Sequence, residues 1–249
     1  MKTSNLLLLL LFTLFAISCS IPKNNKDIQL NTTTSILEYK DSIDRSLSKF
    51  KKEKSLPFSA GDYTFLITKY YKNDKTAVLV EQGDNGEYGG LEKRYYLKDG
   101  KMVLYTENAI RKLDTLHYTE ARAFYQDGLQ FAAEIRKAND KAHLQKTKFQ
   151  KSKPLNVHVK NALNRYEAAL NQTGQFDLAF EEIIEYPKAI YIILSHNDLN
   201  LYRSSLLIQK QDNFIREILN NPINYRGRKV KMNWIKKDSE YVYVSGGFK

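Results

Sequence analysis

The chain predicts an α+β fold: an antiparallel β-hairpin module, then a helical connection, then a small strand-helix-strand-strand module. Three observations carry this. Asp99-Gly100 and Asp127-Gly128 each sit between apolar runs, and Asp-Gly supplies the two left-handed positions of a type I′ hairpin turn. Residues 35–54 and 157–170 space their apolar side chains at helical intervals. Aromatic residues are dense, with 17 Tyr and 12 Phe in 249 residues, and aromatics at that density favour strands.

The first 18 residues have the anatomy of a signal peptide. Lys2 supplies a positive start, Leu6 to Phe15 is apolar apart from Thr13, and the small residues Ala16 and Ser18 flank Ile17 before Cys19. The run is too short to span a hydrocarbon core, which takes about 20 apolar residues. Ala16-Ile17-Ser18-Cys19 resembles the lipobox of bacterial lipoproteins, with Ala16 standing where Leu or Val is usual. The resemblance implies cleavage before Cys19, acylation of its sulfur, and a lipid anchor (palmitate among its chains) in the cell envelope. Ser20 and Ile21 are not acidic, which by resemblance to lipoprotein sorting implies the outer membrane, facing the periplasm. Two acyl chains suffice for stable anchoring. Cys19 is the single cysteine, so once acylated no thiol remains for a disulfide or a redox pair.

The expected organisation is a signal peptide over 1–18 and a polar tether over 19–34. An N-terminal module over 35–153 and a C-terminal module over 154–249 follow. In the first, Ile36, Leu37, Ile43, Leu47 and Phe50 predict a helix from Ser35 to Lys54, ended by Pro57 and Gly61. Tyr63 to Thr68 and Thr76 to Glu81 read as strands. Gln82 to Gly90 holds four glycines and reads as a loop; its Asp84, Asn85 and Glu87 lack calcium-loop spacing. Arg94 to Leu104 and Arg122 to Ala132 read as two similar hairpins, their arginines 28 residues apart. Residues 94–135 resemble the MORN-like repeats of the YwqK-type antitoxin family, in which aromatic strands flank a tight turn. The resemblance implies repeated hairpins in one sheet and assigns no binding residue. The lysine-rich stretch 134–153 reads as partly helical.

The C-terminal module opens on a helix through Val157, Ala162, Leu163, Tyr166 and Leu170, with Gly174 as its stop. Glu181, Glu182 and Glu185 read as a charged helical face, in preference to paired acid/base carboxylates. Ala189 to Leu194 and Ser204 to Gln209 read as strands that pair. Asp212 to Leu219 reads as a helix. Arg228 to Ile235 alternates, with Val230, Met232 and Trp234 on one face. Tyr241 to Val244 closes the module, which could form a small, OB-like open barrel.

The net charge of +11 favours anionic partners, whether lipid headgroups, an anionic glycan or an acidic protein surface. An exported location makes nucleic acid the weaker partner. Tyr225-Arg226-Gly227-Arg228-Lys229-Val230-Lys231 joins aromatic and basic groups, and Arg226, Arg228, Lys229 and Lys231 are the candidate contacts to an anionic partner. His117, His143, His158 and His196 have no metal-ligand spacing. Ser195, His196 and Asp198 are adjacent in sequence and read as a turn. No phosphate-binding glycine motif is present, and no cofactor is expected. The expected function is a non-enzymatic envelope lipoprotein that binds or scaffolds another envelope component. The alternatives are an envelope-polymer hydrolase and an immunity or antitoxin-like protein.

Overall fold

The computed structural model describes residues 30–112, 114–196 and 202–249. The leader, Cys19 and most of the expected tether lie outside the described residues. The first helix, α1 (Thr33–Ser46), starts two residues before its predicted position because Thr32 and Ser35 form a capping box. Thr32 Oγ1 accepts from the Ser35 amide at 3.1 Å, and Ser35 Oγ accepts from the Thr32 amide at 3.2 Å. The predicted helix is also too long. A 3₁₀ turn over Leu47–Lys49 ends it, and Lys51–Lys54 forms β1, paired antiparallel with Thr68–Tyr71. The apolar spacing of Leu47 and Phe50 persists through the turn, which is why periodicity alone overran the end.

A short β2 (Phe58–Ala60) leads into a meander of six strands. These are β3 (Tyr63–Lys72), β4 (Lys75–Asp84), β5 (Gly89–Lys98), β6 (Lys101–Lys112), β7 (Leu116–Gln126) and β8 (Leu129–Ala138). Each is antiparallel to the next. Both Asp-Gly pairs are turns with positive φ, 50° and 77° at Asp99-Gly100 and 50° and 83° at Asp127-Gly128. A third turn of this kind uses Asn73-Asp74 (51° and 59°), two residue types that tolerate the left-handed region. The predicted loop over 82–90 is mostly strand: only a 3₁₀ turn at Gly86–Tyr88 separates β4 from β5. Gly83 inside β4 leaves room for the Tyr63 ring, which a Cβ there would displace.

The central strands are covered on both faces, so they read as continuous apolar runs. One face carries Val78, Val80, Tyr96, Leu104 and Phe124 against Ile36 and Ile43 of α1. Tyr39 Oη donates to the Leu97 carbonyl at 2.6 Å and helps seat the helix. The other face carries Phe65, Ile67, Leu79, Tyr95 and Tyr105. It packs on α3 (Val159–Asn171), reached after α2 (Lys141–Lys146) and the two-residue edge strand β9 (Gln150–Lys151). The stretch 134–153, expected as partly helical, is strand as far as Ala138 and helical only in α2. The stop of α3 is Gln172, at φ 52°, with Gly174 beginning the next 3₁₀ turn.

The C-terminal elements are β10 (Ala179–Tyr186), β11 (Ala189–Ser195), β12 (Arg203–Leu207), α4 (Asn213–Asn220), β13 (Val230–Lys237) and β14 (Glu240–Phe248). β10, read from the sequence as a charged helical face, is a strand. Its Ile183-Ile184 pair and its register with β11 supply the β signal that three glutamates obscured. β12 is antiparallel to β11 and parallel to β14 at Leu207↔Val242, and β13 pairs with β14. The Ala179↔Lys229 bridge returns the segment before β13 to β10. The five strands thus close in the order β10-β11-β12-β14-β13, with α4 between the third and fourth in sequence. Residues on either side of position 153/154 share one core: Phe58 and Phe65 meet Phe176 at 4.8 and 6.3 Å, and Phe176 stacks on Tyr202 at 4.7 Å and 6°.

Candidate functional site

The four candidate cations divide into two pairs with different duties. Arg226 and Lys229 hold the barrel closed. The Phe180 amide donates to the Arg228 carbonyl at 2.9 Å, and the Gly227 amide donates to the Phe180 carbonyl at 2.8 Å. Arg226 Nε donates to the Glu181 carbonyl at 3.2 Å, and Lys229 Nζ reaches the Asp177 carboxylate at 2.8 Å and its carbonyl at 2.9 Å. Arg228 and Lys231 face outward, and neither has a carboxylate partner among the described residues. The Arg228 guanidinium lies 3.9 Å from the Phe248 ring centre and 5.4 Å from that of Tyr225. Those rings stack at 4.9 Å and 13°. At these distances the cation is attracted to the negative faces of the rings, and its N–H donors have no carboxylate acceptor among the described residues. Trp234, on the inner side of β13, packs against the core and donates Nε1–H to the Ser55 carbonyl at 3.1 Å, so it is no open stacking platform.

Glu81 is a buried charge that the sequence did not single out, with 2 % of the residue exposed. Its register opposite Lys93 and its place beneath α3 explain how it is satisfied. Arg165 Nη1 reaches Oε2 at 2.5 Å, Lys93 Nζ lies 3.6 Å from Oε1, and Tyr63 Oη donates to Oε1 at 3.2 Å. Burial pushes the Glu81 carboxyl up, but Arg165 and Lys93 outweigh it and hold it below the usual carboxylate range. Burial, and secondarily Glu81, pushes the adjoining Tyr166 hydroxyl far above its ordinary value. The arrangement is a fully bonded charge holding α3 to the sheet.

A polar cleft opens on the opposite face, between α1 and the outer half of the meander. Its volume is about 450 Å³. Three arginines rise from its floor, each tied to a carboxylate on the same or a neighbouring strand. Arg94 Nε donates to Glu92 at 2.8 Å, Arg122 to Glu134 at 2.6 Å, and Arg136 to Glu120 at 2.7 Å. From α1, Asp44 accepts from Tyr96 Oη at 3.0 Å and lies 3.4 Å from Arg94, while Lys40 bridges Asp41 and Asp44. Phe149 closes one end, against the guanidiniums of Arg122 and Arg136 at 3.7 and 4.5 Å. The available signal was alternation: Arg94, Thr106, Arg122 and Glu134 align across four strands once register is known.

The remaining candidates are dispersed. Cys19 and Asp198 lie outside the described residues; Ser195 ends β11 and His196 follows it. Glu181 sits at a β-bulge, its Oε1 3.5 Å from Arg203 and its buried Oε2 without a hydrogen-bond partner among the described residues. Glu182 and Glu185 follow it along the same strand, not on a helix. Asp84 accepts from the Gly86 amide at 2.8 Å, a turn-forming bond. Among the described residues no group of three or more His, Cys, Asp or Glu is placed to hold a metal ion, and no helix is long and apolar enough to cross a membrane. No family model, curated protein or solved structure matches the chain.

Proposed function

We propose that this chain is a non-enzymatic, lipid-anchored envelope protein that binds an anionic envelope component, glycan or protein, through its C-terminal barrel. The observation that carries the reading is the Arg228 guanidinium, which lies 3.9 Å from the Phe248 ring centre and 5.4 Å from that of Tyr225 with no carboxylate partner among the described residues. A cation fixed in that way loses little freedom on meeting a carboxylate, phosphate or sulfate, and its planar fork can donate two bonds to one anion. Lys231, three residues on in β13, adds a second exposed charge without a carboxylate partner among the described residues. The topology adds a weaker argument. A five-stranded barrel with its helix between the third and fourth strands is the OB-like arrangement expected from the sequence, a scaffold that often presents oligomeric ligands, though topology alone assigns none. The cleft carboxylates Asp44, Glu92 and Glu120 are each ion-paired, which favours recognition over the hydrolase reading there.

The test uses full-length protein and lipopolysaccharide as the anionic probe. Arg228→Ala with Lys231→Ala weakens binding roughly tenfold or more and flattens its salt dependence, with the unfolding midpoint unchanged. Equal affinity of wild type and double variant removes the barrel from the reading. In cells, Cys19→Ala abolishes palmitate labelling and releases the protein from membranes; continued membrane retention counts against the anchor.

A further inference from the structure

We propose that the cleft between α1 and the meander is a second binding site, specific for an uncharged, hydroxyl-rich ligand the size of a monosaccharide or disaccharide. This goes beyond the barrel reading and does not depend on it.

The volume of about 450 Å³ lies within the range of small-ligand sites, about 300–1,000 Å³. Four cationic and four anionic side chains line it, so its formal charge is zero. Each of its three guanidiniums already donates to a carboxylate at hydrogen-bonding distance. With equal numbers of cations and anions the lining gives a charged ligand no net Coulomb attraction: an anion that takes the remaining donors of a guanidinium also meets the carboxylates of Glu92 and Glu120, and a cation meets the arginines and Lys40. A hydroxyl group, which both donates and accepts, displaces nothing. It can take the remaining lone pairs of a carboxylate while accepting from an amide or guanidinium.

Two polar groups lining the cleft, the half-buried Thr106 hydroxyl and the exposed Asn108 amide, are without a side-chain hydrogen-bond partner among the described residues and are open to a ligand. Thr106 and Asn108 sit two apart on β6, and the pleat places both on the side facing α1. One hydroxyl and one amide thus stand between fixed ion pairs. The pairs hold the charged groups of the cleft in place before any ligand arrives, which lowers the ordering cost of binding. Leu37 of α1 supplies an apolar patch on the helix side, suited to the C–H face of a sugar ring.

Titration calorimetry of the full-length protein with maltose, N,N′-diacetylchitobiose and the anionic digalacturonate tests the proposal. The expected result is saturable binding of at least one neutral disaccharide, unchanged when sodium chloride is raised tenfold, and no tighter binding of digalacturonate. Thr106→Val with Asn108→Ala weakens that binding at least tenfold at an unchanged unfolding midpoint. Leu37→Trp, which fills the cleft from the helix, gives the same loss without touching the floor. Three outcomes overturn the proposal: neither neutral disaccharide binds; digalacturonate binds best and salt abolishes it; or affinity survives in both variants. Loss of disaccharide binding in the Arg228→Ala, Lys231→Ala protein alone would move the site to the barrel and overturn it equally.

Discussion

The meander and the barrel are both antiparallel in most of their pairings, yet they join their strands in different ways, and Arg228 of the barrel lacks the carboxylate that each arginine of the cleft has. In the meander each strand bonds to its neighbour in sequence across short connections, and Arg94, Arg122 and Arg136 are each matched by a carboxylate on the same or an adjacent strand. In the barrel, closure depends on segments far apart in sequence: Leu207 with Val242, and Ala179 with Lys229. There Arg228 rests on aromatic rings instead of an acid. Local pairing yields a wall whose charges are internally balanced. Non-local closure leaves a seam, and the basic segment forms that seam and extends beyond it. Cation count therefore says little about anion binding until each cation's partner is known.

The largest expected effect tests whether the two regions are separate at all. Phe176 is fully buried between them, touching Phe58 and Tyr202. Phe176→Ala should cost about 3–5 kcal/mol, and denaturant unfolding should remain a single transition with coincident fluorescence and circular dichroism. Two resolved transitions would falsify a shared core.

Next comes the Glu81–Arg165 pair, which belongs to the meander. Arg165→Met should cost on the order of 3 kcal/mol by leaving Glu81 buried beside Lys93 alone. The folded carboxyl titrates below its ordinary value of 4.5, so the pair contributes fully above that value and its contribution is lost as pH falls through the depressed one. Unfolding midpoints measured down through this acid range should fall less steeply in Glu81→Gln than in wild type. Identical slopes would show that other carboxylates govern acid sensitivity.

The third test separates the two duties inside the basic segment. Lys229→Ala removes half-exposed contacts to Asp177 and should lower stability by roughly 0.5–1 kcal/mol. Arg228→Ala should leave stability nearly unchanged. A reversed order would mean that the aromatic stack, not the lysine, closes the barrel.

The smallest effect belongs to the turn lysines. Lys75 pairs with Asp99 and Lys101 with Asp127, at 2.8 and 2.9 Å, all four side chains in open solvent. Replacing both lysines by Ala should leave the melting temperature unmoved, since exposed pairs of this kind are screened by water and salt.

What the residues disclosed follows from how local each feature is. The Asp-Gly turns needed only two neighbours to be read, and both hairpins stand where they were expected. Helix α4 was legible because Asp212 caps it: Asp212 Oδ1 accepts from the Ile215 amide at 2.9 Å, directly before an apolar stripe. β10 was not, because Glu181, Glu182 and Glu185 mimic a polar helix face when the partner strand is unknown. The basic segment was found by composition, but the split between Arg226 with Lys229 and Arg228 with Lys231 depends on where Phe180 lies. The cleft was invisible for the same reason: its arginines and glutamates are 12 to 16 residues apart in two of three pairs and meet only through sheet register.

β12 has one further consequence. On one side it pairs with β11; on the other it meets Ser59 of β2 through Arg203 and Val242 of β14 through Leu207. Five consecutive residues therefore form a fork at which one sheet splits into two. A pull on the amino-terminal side would reach the barrel through this fork, through Trp234 on Ser55 and through the shared aromatic core around Phe176. Strand and core are thus loaded together, so the barrel would keep its posture until the packing around Phe176 and the β12 pairings give way as one.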